Sequence, residues 1–276
     1  MAKKADNRLQ KPWWRRHVRG LSGIALVLVL GGLVLYFRAD WQERWFRWVS
    51  TWAQAEAVQQ AIPDAGRWQL LCDNLEQWRQ HDAARYREAQ IPAERQAVIR
   101  EARATLEHSL VAMMRCWLGT PWAYEGMAAR PGEGEIACGY FVTTVLQGAG
   151  FRLERNALAQ QAAQNILLSF LPQQELRLRV GVPYKTFRRE TMRGAPGIYL
   201  VGLDTHIGFV IVQDQDYRFV HSSGSHPWRV VEEHSAAASV LERSQYRVLG
   251  HLTANDDVIR RWLLGEKFAT VTSRAD

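Results

Sequence analysis

Cysteine is scarce in this chain: three in 276 residues, at Cys72, Cys116 and Cys138. An odd count of three cannot close into a disulfide framework; in an oxidising compartment two could pair and leave one free thiol. Lysine is rarer than arginine, five against thirty, a bias that says little about function. Neither a Cys-x-x-Cys nor a His-Glu-x-x-His spacing occurs, so no metal site is expected. No glycine-rich phosphate cradle and no Gly-x-Ser-x-Gly elbow is present, and no cofactor is expected. Internal repeats, heptads and low-complexity segments are also missing, which excludes solenoids and coiled coils.

Charge is missing from one stretch altogether. From Gly20 to Phe37 no residue is charged, and eighteen helical residues span roughly 27 Å, enough to cross a hydrocarbon core. Arg38, Asp40, Glu43 and Arg44 follow directly, and the nearest Ala-x-Ala, at Ala53 and Ala55, lies far downstream. That favours an uncleaved anchor over a signal peptide. The formal net charge of +7 belongs largely to what precedes the anchor: residues 1–19 carry +6, leaving +1 for the rest. The basicity is therefore a topology signal that holds the N-terminus in the cytoplasm, and a nucleic-acid partner is not expected. The lipid bilayer is the expected partner of residues 20–37. Residues 38–276 would lie on the far side of a bacterial inner membrane, in the periplasm.

Trp41, Trp45, Trp48 and Trp52 form one helical stripe after the anchor, either an interfacial helix or an ordinary packing face. Pro63 and Gly66 interrupt it. Trp68, Leu71, Leu75 and Trp78 then mark a short amphipathic helix. Pro92 opens a longer one with an apolar face of Val98, Ala102, Leu106, Leu110, Met113 and Trp117, ended by Gly119 and Pro121. The expected organisation is a basic tail (1–19), a transmembrane helix (20–37), a helical stalk (38–91), a main domain (92–255) and a C-terminal helix and tail (256–276).

Cys138 stands apart from the other two thiols. A glycine-rich loop, Gly126 to Ile136, precedes it, and an apolar helix, Gly139 to Gly148, follows. A cysteine at a helix N-terminus meets unpaired N–H groups and the helix dipole, which lower its pKa and could hold an oxyanion. A buried inert thiol is the other reading of that position. A thiolate nucleophile needs a base, and the base needs an orienting group. His206 opens a β-rich run and His221 closes the next, with Asp214-Gln215 between them as a turn. A two-residue loop there sets His206 opposite Ser223, and the two imidazoles become diagonal neighbours on one face, roughly 7 Å apart at Cβ. His226, His234 and His251 show no such pattern.

In this order the segments resemble the NlpC-type, papain-like cysteine peptidases of bacterial cell walls. Leu118-Gly-Thr-Pro-Trp-Ala-Tyr-Glu-Gly126 matches their Leu-Gly-Thr-Pro-Tyr-x-Trp-Gly-Gly. A helix-opening cysteine, a His-Ile-Gly-Phe-Val strand and a Phe-Val-His strand follow. The likeness spans about residues 108–225 and implies Cys138 as nucleophile, His206 as base and His221 as the orienting third residue. Ala137 replaces the family's Asp, and Gly139-Tyr140 replaces Ser-Gly. Trp122 stands where the family has a tyrosine near the oxyanion, and Tyr124 where it has tryptophan. Trp122, Tyr124 and Gly139 are thus the expected pocket residues.

Strands are expected at 198–203, 206–213, 217–222, 228–233 and near 246–252, with a connecting helix over Asn156–Phe170. Helices first and strands later imply an α+β fold, an antiparallel sheet with the cysteine helix packed on it. The function these readings imply is a cysteine hydrolase that cleaves an amide bond, with a cell-wall peptide as the family's substrate. A non-catalytic envelope scaffold on the same fold, and an amidase or acyltransferase acting on a lipid-linked substrate, are the alternatives.

Overall fold

The computed structural model describes residues 61–272. The basic tail, the uncharged segment 20–37 and the Trp41–Trp52 stripe lie outside them. Among the described residues no helix is long and apolar enough to cross a membrane.

Local signals set the helices. Helix α1 (Ala65–Glu88) starts where the Asp64 carboxylate accepts the Arg67 N–H at 2.8 Å. Helix α2 (Pro92–Cys116) has proline in its first turn, and the Glu94 carboxylate accepts the Gln90 N–H at 2.8 Å. Helix α3 (Cys138–Gly148) carries the cysteine as its first residue. A short strand β1 (Arg152–Leu153) and helices α4 (Arg155–Ala159) and α5 (Ala163–Leu168) come next. Then follow β2 (Leu176–Val180), α6 (Tyr184–Met192), β3 (Gly197–Leu203), β4 (Ile207–Gln213), β5 (Asp216–Ser222) and β6 (Val230–His234). Helix α7 (Ser239–Arg243), β7 (Tyr246–His251), α8 (Asp256–Leu264) and β8 (Lys267–Phe268) complete the order.

The main sheet has six strands in the order β2-β7-β3-β4-β5-β6, and every neighbouring pair is antiparallel. The α+β class with an antiparallel sheet is therefore as the sequence implies. The alternation of side chains divides the apolar residues between two layers. Ile198, Leu200, Phe209, Ile211 and Val220 face the helical layer, where they join Leu106, Leu110 and Met113 of α2 and Phe141 and Val145 of α3. Tyr199, Val201, Val210, Val212 and Phe219 face the other way, onto Phe187 of α6 and Leu241 of α7. Both sheet faces are covered, which is why β3 and β4 read as continuous apolar runs.

Several expectations change. The segment 176–180 forms an additional strand that extends the sheet beyond β7. The single helix expected over Asn156–Phe170 is broken into α4 and α5 around Gln160–Ala162. Helix α1, assigned to a separate stalk by its sequence, runs 24 residues and buries Trp68, Leu75 and Ala83 in the same core as α2, α3 and α8. The stalk boundary at residue 91 thus does not separate two bodies, and the C-terminal α8 also belongs to this core through Val258, Ile259 and Trp262. Trp78, placed on the apolar face of that helix by its spacing, is exposed. All three cysteines are free thiols.

Candidate active site

The β4–β5 hairpin fixes the first part of the site. Asp214 and Gln215 both have positive φ, 52° and 58°, the backbone of a two-residue type I′ turn. That turn sets the pairing from Gln213↔Asp216 to Phe209↔Val220. Continued to the strand end, the same register brings His206 opposite Ser223, two residues from His221. The imidazoles meet: His206 Nε2 and His221 Nδ1 share a hydrogen bond of 2.7 Å, with the rings 87° apart.

The next strand repeats the step. In the β5–β6 pairing His221 lies opposite Val231 and Phe219 opposite Glu233. Glu233 is thus the diagonal neighbour of His221 on the same face. Its Oε2 lies 3.0 Å from His221 Nε2. His221 is fully buried, and the Phe219 ring stacks on it at 4.1 Å. Gly208 makes room for this: a Cβ there would come within 2.8 Å of His221 Cβ and 2.7 Å of the Phe219 ring.

The loop before Cys138 is tied to these strands. The Ser222 hydroxyl, next in sequence to His221, donates to the Ile136 carbonyl at 2.6 Å. The Ile136 N–H donates to the Pro121 carbonyl at 2.9 Å, and the Ala137 N–H to the Gly126 carbonyl at 2.8 Å. The Arg155 guanidinium donates to the Met127 and Ala128 carbonyls, both at 2.9 Å, and lies over the Tyr140 ring. Gly139 is required by packing as well as by its place in the cleft. A Cβ on it would sit 2.2 Å from the Ala159 carbonyl oxygen, so only glycine lets α3 and α4 approach.

The electrostatics depart from expectation for the thiol. The backbone N–H groups of Ile207, Gly139 and Cys138 act on the sulfur and pull its pKa down, but burial outweighs them and leaves the Cys138 thiol above its ordinary value. The helix terminus alone does not supply a resting thiolate. Burial and the neighbouring His221 hold His206 well below the usual imidazole value. Burial takes His221 down to about 3 and pushes the Glu233 carboxyl up to about 7, against a partial downward pull from Arg243. At neutral pH the resting site therefore contains a thiol and two neutral imidazoles, with a carboxyl group near its midpoint.

Cys138, Gly139 and His206 line a cleft of about 1000 Å³ together with Trp122, Tyr124 and Arg243. The same three residues border a second hollow of about 680 Å³ that reaches Gln164, Ile166 and Tyr246. The cysteine and the imidazole thus stand where two hollows meet. Trp122 packs on Trp228, ring centroids 5.5 Å apart, with Gly224 beneath it. Tyr124 is 84% exposed and no hydrogen bond holds its hydroxyl; it forms cleft wall, and nothing fixes it toward the sulfur.

Sequence reasoning brought Cys138, His206 and His221 forward and missed Glu233. The readable signal stops at Ser222, because the seven residues to Val230 give no turn from which a register can be counted. Comparison of the chain with protein-family models, with curated proteins and with solved structures yields no match.

Proposed function

We propose that this chain is a membrane-anchored, periplasmic cysteine hydrolase of the NlpC-like, papain-like type, cleaving an amide bond through Cys138. The observation that carries the reading is the placement of Cys138 and His206 in one cleft while His206 Nε2 is engaged by His221 at 2.7 Å. With Nε2 engaged, Nδ1 is the ring nitrogen left for the cleft, and a base must present a free lone pair there. Cys138 loses its proton to His206 as the sulfur attacks the amide carbonyl. The N–H groups around the sulfur then face the developing oxyanion. His206 returns the proton to the leaving amine, and water releases the acyl group from Cys138 by the reverse sequence.

A second reading has its own support. Tyr124, Met127 and Trp228 expose 84%, 56% and 52% of their surfaces, and Tyr124 and Met127 line the cleft. An apolar rim favours an amidase or acyltransferase with a lipid-linked substrate. The scaffold reading draws support from the raised thiol pKa. The full chain in detergent, incubated separately with cell-wall peptide fragments and with lipid-linked amides, distinguishes the three. Cleavage of either class with an acyl adduct on Cys138 by mass spectrometry supports the enzyme. No turnover and no adduct with both classes would leave the scaffold.

A further inference from the structure

We propose that Glu233 is the terminal proton acceptor of a two-imidazole relay, so that the proton Cys138 gives up in the cleft passes to a carboxylate two hydrogen bonds beyond His206 rather than resting on His206 alone. This rests on the thiol-enzyme reading above and extends it to a residue on a third strand. The geometry is the repeated diagonal step: His206 Nε2 to His221 Nδ1 at 2.7 Å, then His221 Nε2 to Glu233 Oε2 at 3.0 Å. Both contacts lie within hydrogen-bond range, and His221 is fully buried under Phe219, so water does not interrupt the chain.

The chain has two tautomeric settings. In the resting one Glu233 is a carboxylate and accepts the His221 Nε2 proton. His221 Nδ1 is then an acceptor and takes the His206 Nε2 proton, which leaves His206 Nδ1 free to accept from the thiol. On deprotonation the Cys138 proton moves to His206 Nδ1. The proton on His206 Nε2 moves to His221 Nδ1, and the proton on His221 Nε2 moves to Glu233 Oε2. The products are a thiolate, two neutral imidazoles with exchanged tautomers, and a carboxylic acid. One negative charge has moved from Glu233 to Cys138, and no new charge has been created.

That conservation is the physical advantage. An imidazolium on His206 would be buried against His221, with no carboxylate in contact, and burial disfavours it strongly. A carboxyl group that ionises at about 7 is matched to accept and return a proton near neutrality. Glu233 meets His221 from β5, Arg243 from α7 and the Tyr184 hydroxyl from α6, on which its charge also acts. Arg243 is exposed and opposes the upward push. Protonation of Glu233 as pH falls through about 7 reverses the donor sense of the chain and removes the acceptor facing the thiol.

The test is the pH profile of Cys138 alkylation by iodoacetamide, resolved by peptide mass spectrometry on the full chain in detergent. Wild type should show an inflection near neutrality. Glu233→Gln should lose that inflection and alkylate at least tenfold more slowly at pH 7.5, and Glu233→Asp should recover part of the rate. Arg243→Gln, a change at the exposed rim of the cleft, should move the inflection to higher pH, and should move nothing near neutrality in the Glu233→Gln background; the same shift in both backgrounds would assign it to Arg243 acting on the thiol and overturn the relay. Full wild-type reactivity and profile in Glu233→Gln, with a loss in His206→Ala, would overturn the relay and leave the thiol enzyme standing. Indifference to both substitutions would overturn the enzyme reading itself. Should Glu233→Gln prove unstable in a thermal melt, the Arg243→Gln shift decides the question: an unmoved inflection overturns the relay.

Discussion

Two regions of this molecule hold a thiol partly or wholly out of water, and they treat it differently. Between α1 and α2, Cys72 is pushed up to about 11 by burial, with Asp73 and Cys116 adding to the effect. Cys116 is raised by burial as well, and its sulfur contacts the Ala112 carbonyl at 3.4 Å. At the head of α3, Cys138 is half-buried and its thiol is also raised. Burial therefore does not distinguish them. What differs is the surroundings: Asp73 beside Cys72, and Arg67, Asp64 and a carbonyl around Cys116 in the helical layer, against converging N–H groups, a cleft and an imidazole at the sheet end. A nucleophile is marked by where its proton can go, and Cys138 shares its cleft with His206.

The comparison can be broken by substitution. Cys138→Ala should lower hydrolysis by on the order of 10³-fold or more, because the covalent route is removed. Cys72→Ser should leave turnover intact, and loss of activity in both variants would erase the distinction. Next in size, His206→Ala should reduce turnover by roughly 10²–10⁴-fold without altering Cys72 alkylation. Gly208→Ala should act through packing. Its new methyl meets Phe219, His221 and the Val220 carbonyl within 2.9 Å, which should cost about 1–3 kcal/mol in a urea melt and displace the His221 ring.

The smallest effect is on pH stability. Folded His221 titrates at about 3 against an ordinary 6.5, and folding keeps it neutral. Its contribution to stability is complete above pH 6.5 and is lost as pH falls toward 3. Glu233, raised to about 7, acts in the opposite direction: its contribution is complete below its ordinary 4.5 and is lost as pH rises through about 7. Wild type should therefore lose melting temperature on acidification from pH 6.5 to 4, less steeply than His221 alone would require. His221→Asn should flatten that dependence. An unchanged slope in the variant would show that His221 is already charged or solvated in the folded protein.

Much of the site could be read because one hairpin is tight. A two-residue turn leaves no freedom in register, so the shared face of His206 and His221 follows from counting residues. Glu233 could not be reached in the same way, since β5 and β6 are joined by seven irregular residues. The strand Leu176–Val180 was legible in principle: Leu-Arg-Leu-Arg-Val alternates with period two. The break between α4 and α5 was not, because no glycine or proline marks it and it coincides with the tertiary approach of the Ala159 carbonyl to Gly139. Helix α1 read as a stalk because it follows the anchor and carries none of the chemistry-bearing residues, and sequence does not tell that its Trp68 face meets the core while Trp78 stays exposed. The helix N-terminus at Cys138 was legible, but the sign of its pKa shift was not, since desolvation depends on neighbours far along the chain.

The most direct test of the central claim compares alkylation of the two half-buried thiols within a single sample. At pH 7.5, iodoacetamide should label Cys138 at least about tenfold faster than Cys72. In His206→Ala that advantage should disappear, while the Cys72 rate stays fixed. Equal labelling of Cys138 and Cys72 in wild type, or a Cys138 advantage that survives His206→Ala, would contradict the account.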